Sequence, residues 1–119
     1  MSSRGVEVAG QWKVLDYPGY PECVDCEISI GCDAENPNQC YVSGQGVNTI
    51  MSEIKYDSES NEWERVHAIS TCQHPSLRQM VLECGISSLV CDIRNFKVEN
   101  GQYLLITLKN NVTVRLQRL

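Results

Sequence analysis

Apolar and polar residues alternate with period two along most of this chain, and the period changes once, between Pro75 and about Val90. Gly10 to Asp16 reads as a first strand, with Trp12 and Val14 on one face. CEISI, Cys23-free and starting at Cys26, alternates enough for a short second strand. Val47 to Tyr56 and Glu62 to Ile69 read as two more, joined by the polar turn stretch DSESN. In the last third, Phe96 and Val98 share a side, then Leu104, Ile106 and Leu108, then Val112, Val114 and Leu116. Asn100-Gly101 and Asn110-Asn111 separate these runs, and Asn-Gly tolerates the positive φ that a tight hairpin turn demands. A three-strand antiparallel meander follows, each strand with one face toward a core.

The exception is PSLRQMVLECGISSLV. Pro75 suits a first helical position, where its missing N–H is not needed. Leu77, Met80, Val81 and Cys84 recur at i, i+3, i+4 and i+7, the spacing of one apolar stripe, which predicts that this stripe faces the core. Gly85 is a potential stop, but Leu89 favours a helix running on to about residue 90. The expected fold is α+β: a strongly curved antiparallel sheet, a partial barrel, with one main helix over about 75–90 packed against it. One domain spans 1–119, and residues 17–40 are expected to be an irregular, cysteine-rich loop region, because PGYPE and AENPNQ both read as loops.

Charge narrows the partners. A net charge of −5 with no basic block disfavours phosphate backbones, so nucleic acid is not an expected partner. No apolar run reaches the roughly 18 residues that span a bilayer, so membrane insertion is not expected either. MSSRGVEVAG lacks the apolar core of a signal peptide, and Ser2 stands where myristoylation needs glycine, so a cytoplasmic location is the expectation.

Seven cysteines change the picture. An odd number without a secretory signal argues against a complete disulfide framework. Cys23, Cys26, Cys32 and Cys40 offer four thiols within eighteen residues, and a structural zinc site takes four such ligands. The CxxC half is the right knuckle, whereas the second pair has the wrong spacing, so no metal or other cofactor is the favoured reading and zinc the runner-up. ECVDCEISI does not resemble a thioredoxin-type CxxC, which needs a strand before it and a helix after it. Cys72 and His74 are two residues apart, with no third group to orient the imidazole, so packing for Cys72 and capping or exposure for His74 outweigh a hydrolase dyad. His67 reads as an ordinary strand residue, and no P-loop, GxGxxG, HExxH or GxSxG motif occurs.

The order of these pieces resembles the META/HslJ-like domain family. The resemblance rests on Gly10 and Trp12, the Asn48-Thr49 pair in GVNTIMSEIKY, Ser70-Thr71 before the helix, and the closing LLITLKNNVTVRLQRL. It covers nearly the whole chain, best from Gly46 to Leu119. The chain departs from the family in having Val47 where a cysteine often precedes the Asn, and in its long cysteine-rich segment. The resemblance implies a kinetoplastid META-type protein, associated with virulence or stress, acting as a non-enzymatic accessory domain through an unidentified protein partner, with no catalytic residues. Two alternatives stand beside it: a zinc-stabilised interaction module built on Cys23, Cys26, Cys32 and Cys40, and a lipocalin-like carrier of small apolar ligands.

Overall fold

The computed structural model describes residues 7–71 and 73–119. The elements run β1 (Gly10–Asp16), a short 3-10 turn (Pro21–Cys23), β2 (Glu27–Asp33), β3 (Asn36–Gln45), β4 (Thr49–Asp57), β5 (Glu62–Ser70), α1 (Leu77–Cys91), β6 (Ile93–Glu99), β7 (Tyr103–Leu108) and β8 (Thr113–Arg118). Among the described residues eight strands form one sheet in the order β5-β4-β3-β2-β1-β8-β7-β6, and every neighbouring pair is antiparallel. Among the described residues no helix is long and apolar enough to cross a membrane.

The sheet curls until its two end strands meet, giving a nearly closed barrel with α1 packed against it. The junction is local. Trp63 of β5 stacks edge-on against Phe96 of β6 with ring centres 5.4 Å apart. Arg94 pairs with Glu62 at 3.1 Å, and Lys109 Nζ reaches Glu64 at 3.1 Å. Inside, alternate residues of the strands fill the space: Trp12, Ile28, Val42, Ile54, Leu104 and Leu116 are all buried. From α1, Ile86, Leu89 and Val90 join them. Close approach of helix and sheet depends on Gly44, where a Cβ would stand 3.0 Å from both Ile86 and Val90.

The hairpins form as their turn chemistry predicts. Asn100 and Gly101 both take positive φ (55° and 67°), as does Asn111 (69°). The helix passes straight through Gly85, as Leu89 suggests, and Leu89 is fully buried.

Three expectations are corrected. Residues 17–40 are more regular than expected: the short strand read from CEISI forms, as β2, and the region also holds the start of β3 and a tight turn at 34–35. Pro37 is tolerated because it has no register partner on either side: β3 meets β4 only from Gln39, and its pairing with β2 passes from Asn36 to Cys40, so the missing N–H leaves no ladder bond unmade. Pro75 is not the first helical residue. Ser76 caps the helix in a reciprocal box with Gln79: Ser76 Oγ accepts from the Gln79 N–H at 3.3 Å, and Gln79 Oε1 accepts from the Ser76 N–H at 2.9 Å. The largest difference concerns the apolar stripe. Leu77 is 85% exposed, Met80 and Val81 are 46% and 42% exposed, and Cys84 is exposed too. The face turned to the sheet is instead Gly85, Ile86, Leu89 and Val90, with Leu82 partly covered. Both faces of this helix are apolar, so periodicity alone does not choose between them.

Candidate functional site

The residues that carry the Asn48-Thr49 and Ser70-Thr71 motifs meet in space. Asn48 is buried, and its Oδ1 accepts from Thr71 Oγ1 at 2.8 Å and from the Gln73 N–H at 2.7 Å. Its Nδ2 donates to the Gln73 carbonyl at 2.9 Å. Thr71 Oγ1 accepts in turn from the Thr49 N–H at 3.1 Å. From the other side, Glu83 Oε2 accepts the N–H groups of Val47 at 2.7 Å and Asn48 at 3.1 Å. A carboxylate accepting two backbone donors is a strong, charge-assisted clamp. Asn48 and Glu83 therefore fix where the chain leaves the sheet and how α1 sits over β4. Sequence reading finds Asn48 and misses Glu83; the only signal is a lone acid inside an otherwise neutral stretch of helix.

This clamp leaves a face open beside it. Every residue of β5 from Glu64 to Ser70 is exposed. Its junction with β6 and Lys109 involves Glu62, Trp63 and Glu64, so the rest of the strand runs on as a sheet edge. Between that edge and α1 lies a cleft of about 290 Å³, lined by Ile50, Arg65, Ala68, Ser70, Glu83 and Ser87 among others. On the outer face, Ile69 pairs with Met51; they are 63% and 42% exposed and border a second, smaller and mainly apolar depression. The exposed Leu77, Met80 and Val81 lie on the helix that forms the cleft's far wall. Arg65 points toward the cleft and makes no ion pair among the described residues. The arrangement offers backbone donors and acceptors, apolar contact and one cation.

The other candidates resolve as follows. Cys32 and Cys40 are directly opposite on β2 and β3, with their sulfurs 2.7 Å apart. Cys23 and Cys26 lie beyond the other end of β2, and Glu27 to Cys32 alone spans about 16 Å at the usual rise per strand residue. The four thiols of the zinc alternative thus form two separate pairs. Among the described residues no group of three or more His, Cys, Asp or Glu side chains is arranged to hold a metal ion. Cys23 packs under α1, its thiol directed at the Leu82 carbonyl at 3.8 Å, and burial pushes that thiol up to about 12. Cys84 is exposed, contrary to the expectation of a core position. His74 and His67 are exposed; Cys72, the other half of the Cys72–His74 pair, lies outside the described residues. The barrel interior that a lipocalin-like carrier would need is filled by the core side chains and α1.

Gly10 and Trp12 serve the join between β1 and β8. Trp12 Nε1 donates to the Val8 carbonyl at 2.8 Å, and Gly10 takes φ 139° where a Cβ would stand 2.8 Å from Arg118 Nη1.

No family model and no curated protein matches this chain. A solved structure similar to it is the "NMR structure of the protein from Burkholderia xenovorans", 14% identical, with a TM-score of 0.54 over 92% of this chain and 78% of that one. At that identity the likeness is one of fold.

Proposed function

We propose that this chain is a non-enzymatic accessory domain of the META/HslJ-like kind, and that it binds an extended segment of a partner protein along the edge of β5. The observation that carries this reading is the run of exposed edge residues from Glu64 to Ser70 beside an amphipathic cleft. An extended peptide adds to such an edge through main-chain hydrogen bonds, and alternate side chains then set specificity. One face of the added strand lies over the cleft, where an acidic side chain meets Arg65. The other lies beside Ile69 and Met51. The bulge at Val66 and the charges of Glu64 and Arg65 are devices that keep such an edge from pairing indiscriminately with copies of itself.

Support for a non-enzymatic role comes from how the polar groups are used. Asn48, Thr71, Glu83 and Tyr17 are engaged in holding backbone or one another, as scaffold groups are. The resemblance adds a virulence- or stress-associated setting, in the cytoplasm.

Peptides selected from a random displayed decapeptide library test this reading. Selected peptides are expected to protect the amides of Arg65 to Ile69 from hydrogen exchange and to lose binding in Ile69→Lys. A library that yields no binder, or binders that protect a different surface, overturns it.

A further inference from the structure

We infer that Cys32 and Cys40 are a reversible redox pair, forming a cross-strand disulfide by exchange with a small-molecule disulfide of the glutathione type. The two residues are register partners in an antiparallel hairpin, so backbone geometry sets their separation. Opposed residues in such a ladder have Cα atoms about 4.5 or 5.5 Å apart, and both values fall within the range a disulfide spans. The side chains already point at each other, with sulfur to sulfur at 2.7 Å. Closure therefore needs rotation of two side chains and no movement of the sheet.

Burial fixes the order of events. Cys40 is fully enclosed, whereas Cys32 is only half-buried, at the hairpin end of β2. Cys32 is thus the sulfur that meets the reagent. A hydrogen bond from the Cys40 thiol also lowers the Cys32 thiol below its ordinary range, against the opposing effect of burial. The Cys32 thiolate attacks one sulfur of the small disulfide. A mixed disulfide forms, the S–S bond of the reagent breaks, and the first small thiolate leaves and takes a proton. Cys40 then loses its proton to solvent and attacks the Cys32 sulfur of the mixed disulfide. The protein disulfide forms and the second small thiol leaves. In sum the protein gives up two electrons and two protons, and the reagent is reduced to two thiols. Each exchange step runs in both directions, so an excess of the reduced small thiol opens the bond again.

Cys23 and Cys26 are not the redox pair, despite the CxxC spacing. Cys23 is enclosed beneath α1, and burial raises both thiols, which suppresses the nucleophilic thiolate.

The sequence makes the test direct. Cleavage after glutamate puts Cys23 and Cys26 in 23–27, Cys32 in 28–35 and Cys40 in 36–53. The full chain is equilibrated in buffers of graded oxidised-to-reduced glutathione ratio, alkylated and cut. The expected result is that 28–35 and 36–53 become joined as the ratio rises and separate again on adding reduced glutathione. Cys32→Ser is expected to abolish that joined species. The mapping is read on the unaltered protein, so it does not depend on how a variant folds. Separate, alkylated 28–35 and 36–53 in the most oxidising buffer overturn the inference, as does oxidation confined to 23–27.

Discussion

The guanidinium of Arg118 lies over the ring of Trp12, 4.2 Å from its centre, and joins the two ends of the chain. Its Nη1 donates to Ala9, its Nη2 to Glu7 and its Nε to Gly101, at 2.8 to 2.9 Å. The fork geometry of arginine makes these three bonds while the plane stacks on indole, which lysine cannot reproduce. Arg118→Lys and Arg118→Ala are both expected to destabilise the protein, the alanine variant by about 2 kcal/mol. Urea unfolding reads this as a lower midpoint with an unchanged slope; an unchanged midpoint in both variants would show the contact to be idle.

Glu83 is expected to matter for stability, with no partner or substrate present. Glu83→Ala leaves the Val47 and Asn48 N–H groups without their acceptor, at a cost of about 1–3 kcal/mol. Glu83→Gln keeps one acceptor oxygen and is expected to lose less. Hydrogen exchange of those two amides checks the cause, since both should quicken in the alanine variant before the rest of the sheet.

Gly85→Ala tests packing against propensity. Alanine gains about 1 kcal/mol in a helix interior. Here its Cβ would stand 2.5 Å from Cys23 Sγ and 2.9 Å from the Tyr20 ring. Overpacking is expected to prevail, with net destabilisation of roughly 1–3 kcal/mol. Adding Cys23→Ala removes the closest atom and should recover part of the loss; a more stable single variant contradicts the packing described.

Stability is expected to fall in alkali. Burial, with smaller contributions from Cys26 and Glu22, raises the Cys23 thiol from 9.0 to about 12. Burial foremost also raises the Tyr17 phenol, which donates to the Gly85 carbonyl at 2.8 Å. Across that window the native state keeps protons that the unfolded chain has released, so stability is full below pH 9 and declines as pH approaches 12. Unfolding curves at stepped pH measure the slope, and Cys23→Ala should make it shallower.

The exposed helix face separates binding from folding. Leu77→Glu is expected to change stability by no more than about 0.5 kcal/mol, whereas Leu89→Ala should cost about 3 kcal/mol. Thermal unfolding of the pair decides it. Equal losses would place Leu77 in the core.

Which parts of this molecule were legible in its sequence follows from the range of the forces involved. The strands β1, β2, β4, β5, β6, β7 and β8 and the Asn100-Gly101 turn are set by alternation and local φ preferences, and these act over a few residues. The curved sheet with one helix follows from them. The run Asn36 to Gln45 hides its strand, because its inward face carries only Cys40 and Val42 before Gly44, whose missing side chain makes room for α1. Which face of α1 turns inward is a tertiary decision. Leu77, Met80, Val81 and Cys84 form as good a stripe as the buried one, and the sheet selects the face whose Gly85 admits Tyr20 and Cys23. Pairing of Cys32 with Cys40, and the reach of Glu83 across 35 residues to Asn48, likewise arise only when distant segments are brought into register. A residue's type and neighbours determine what it can contact; the closed sheet determines which contact is made.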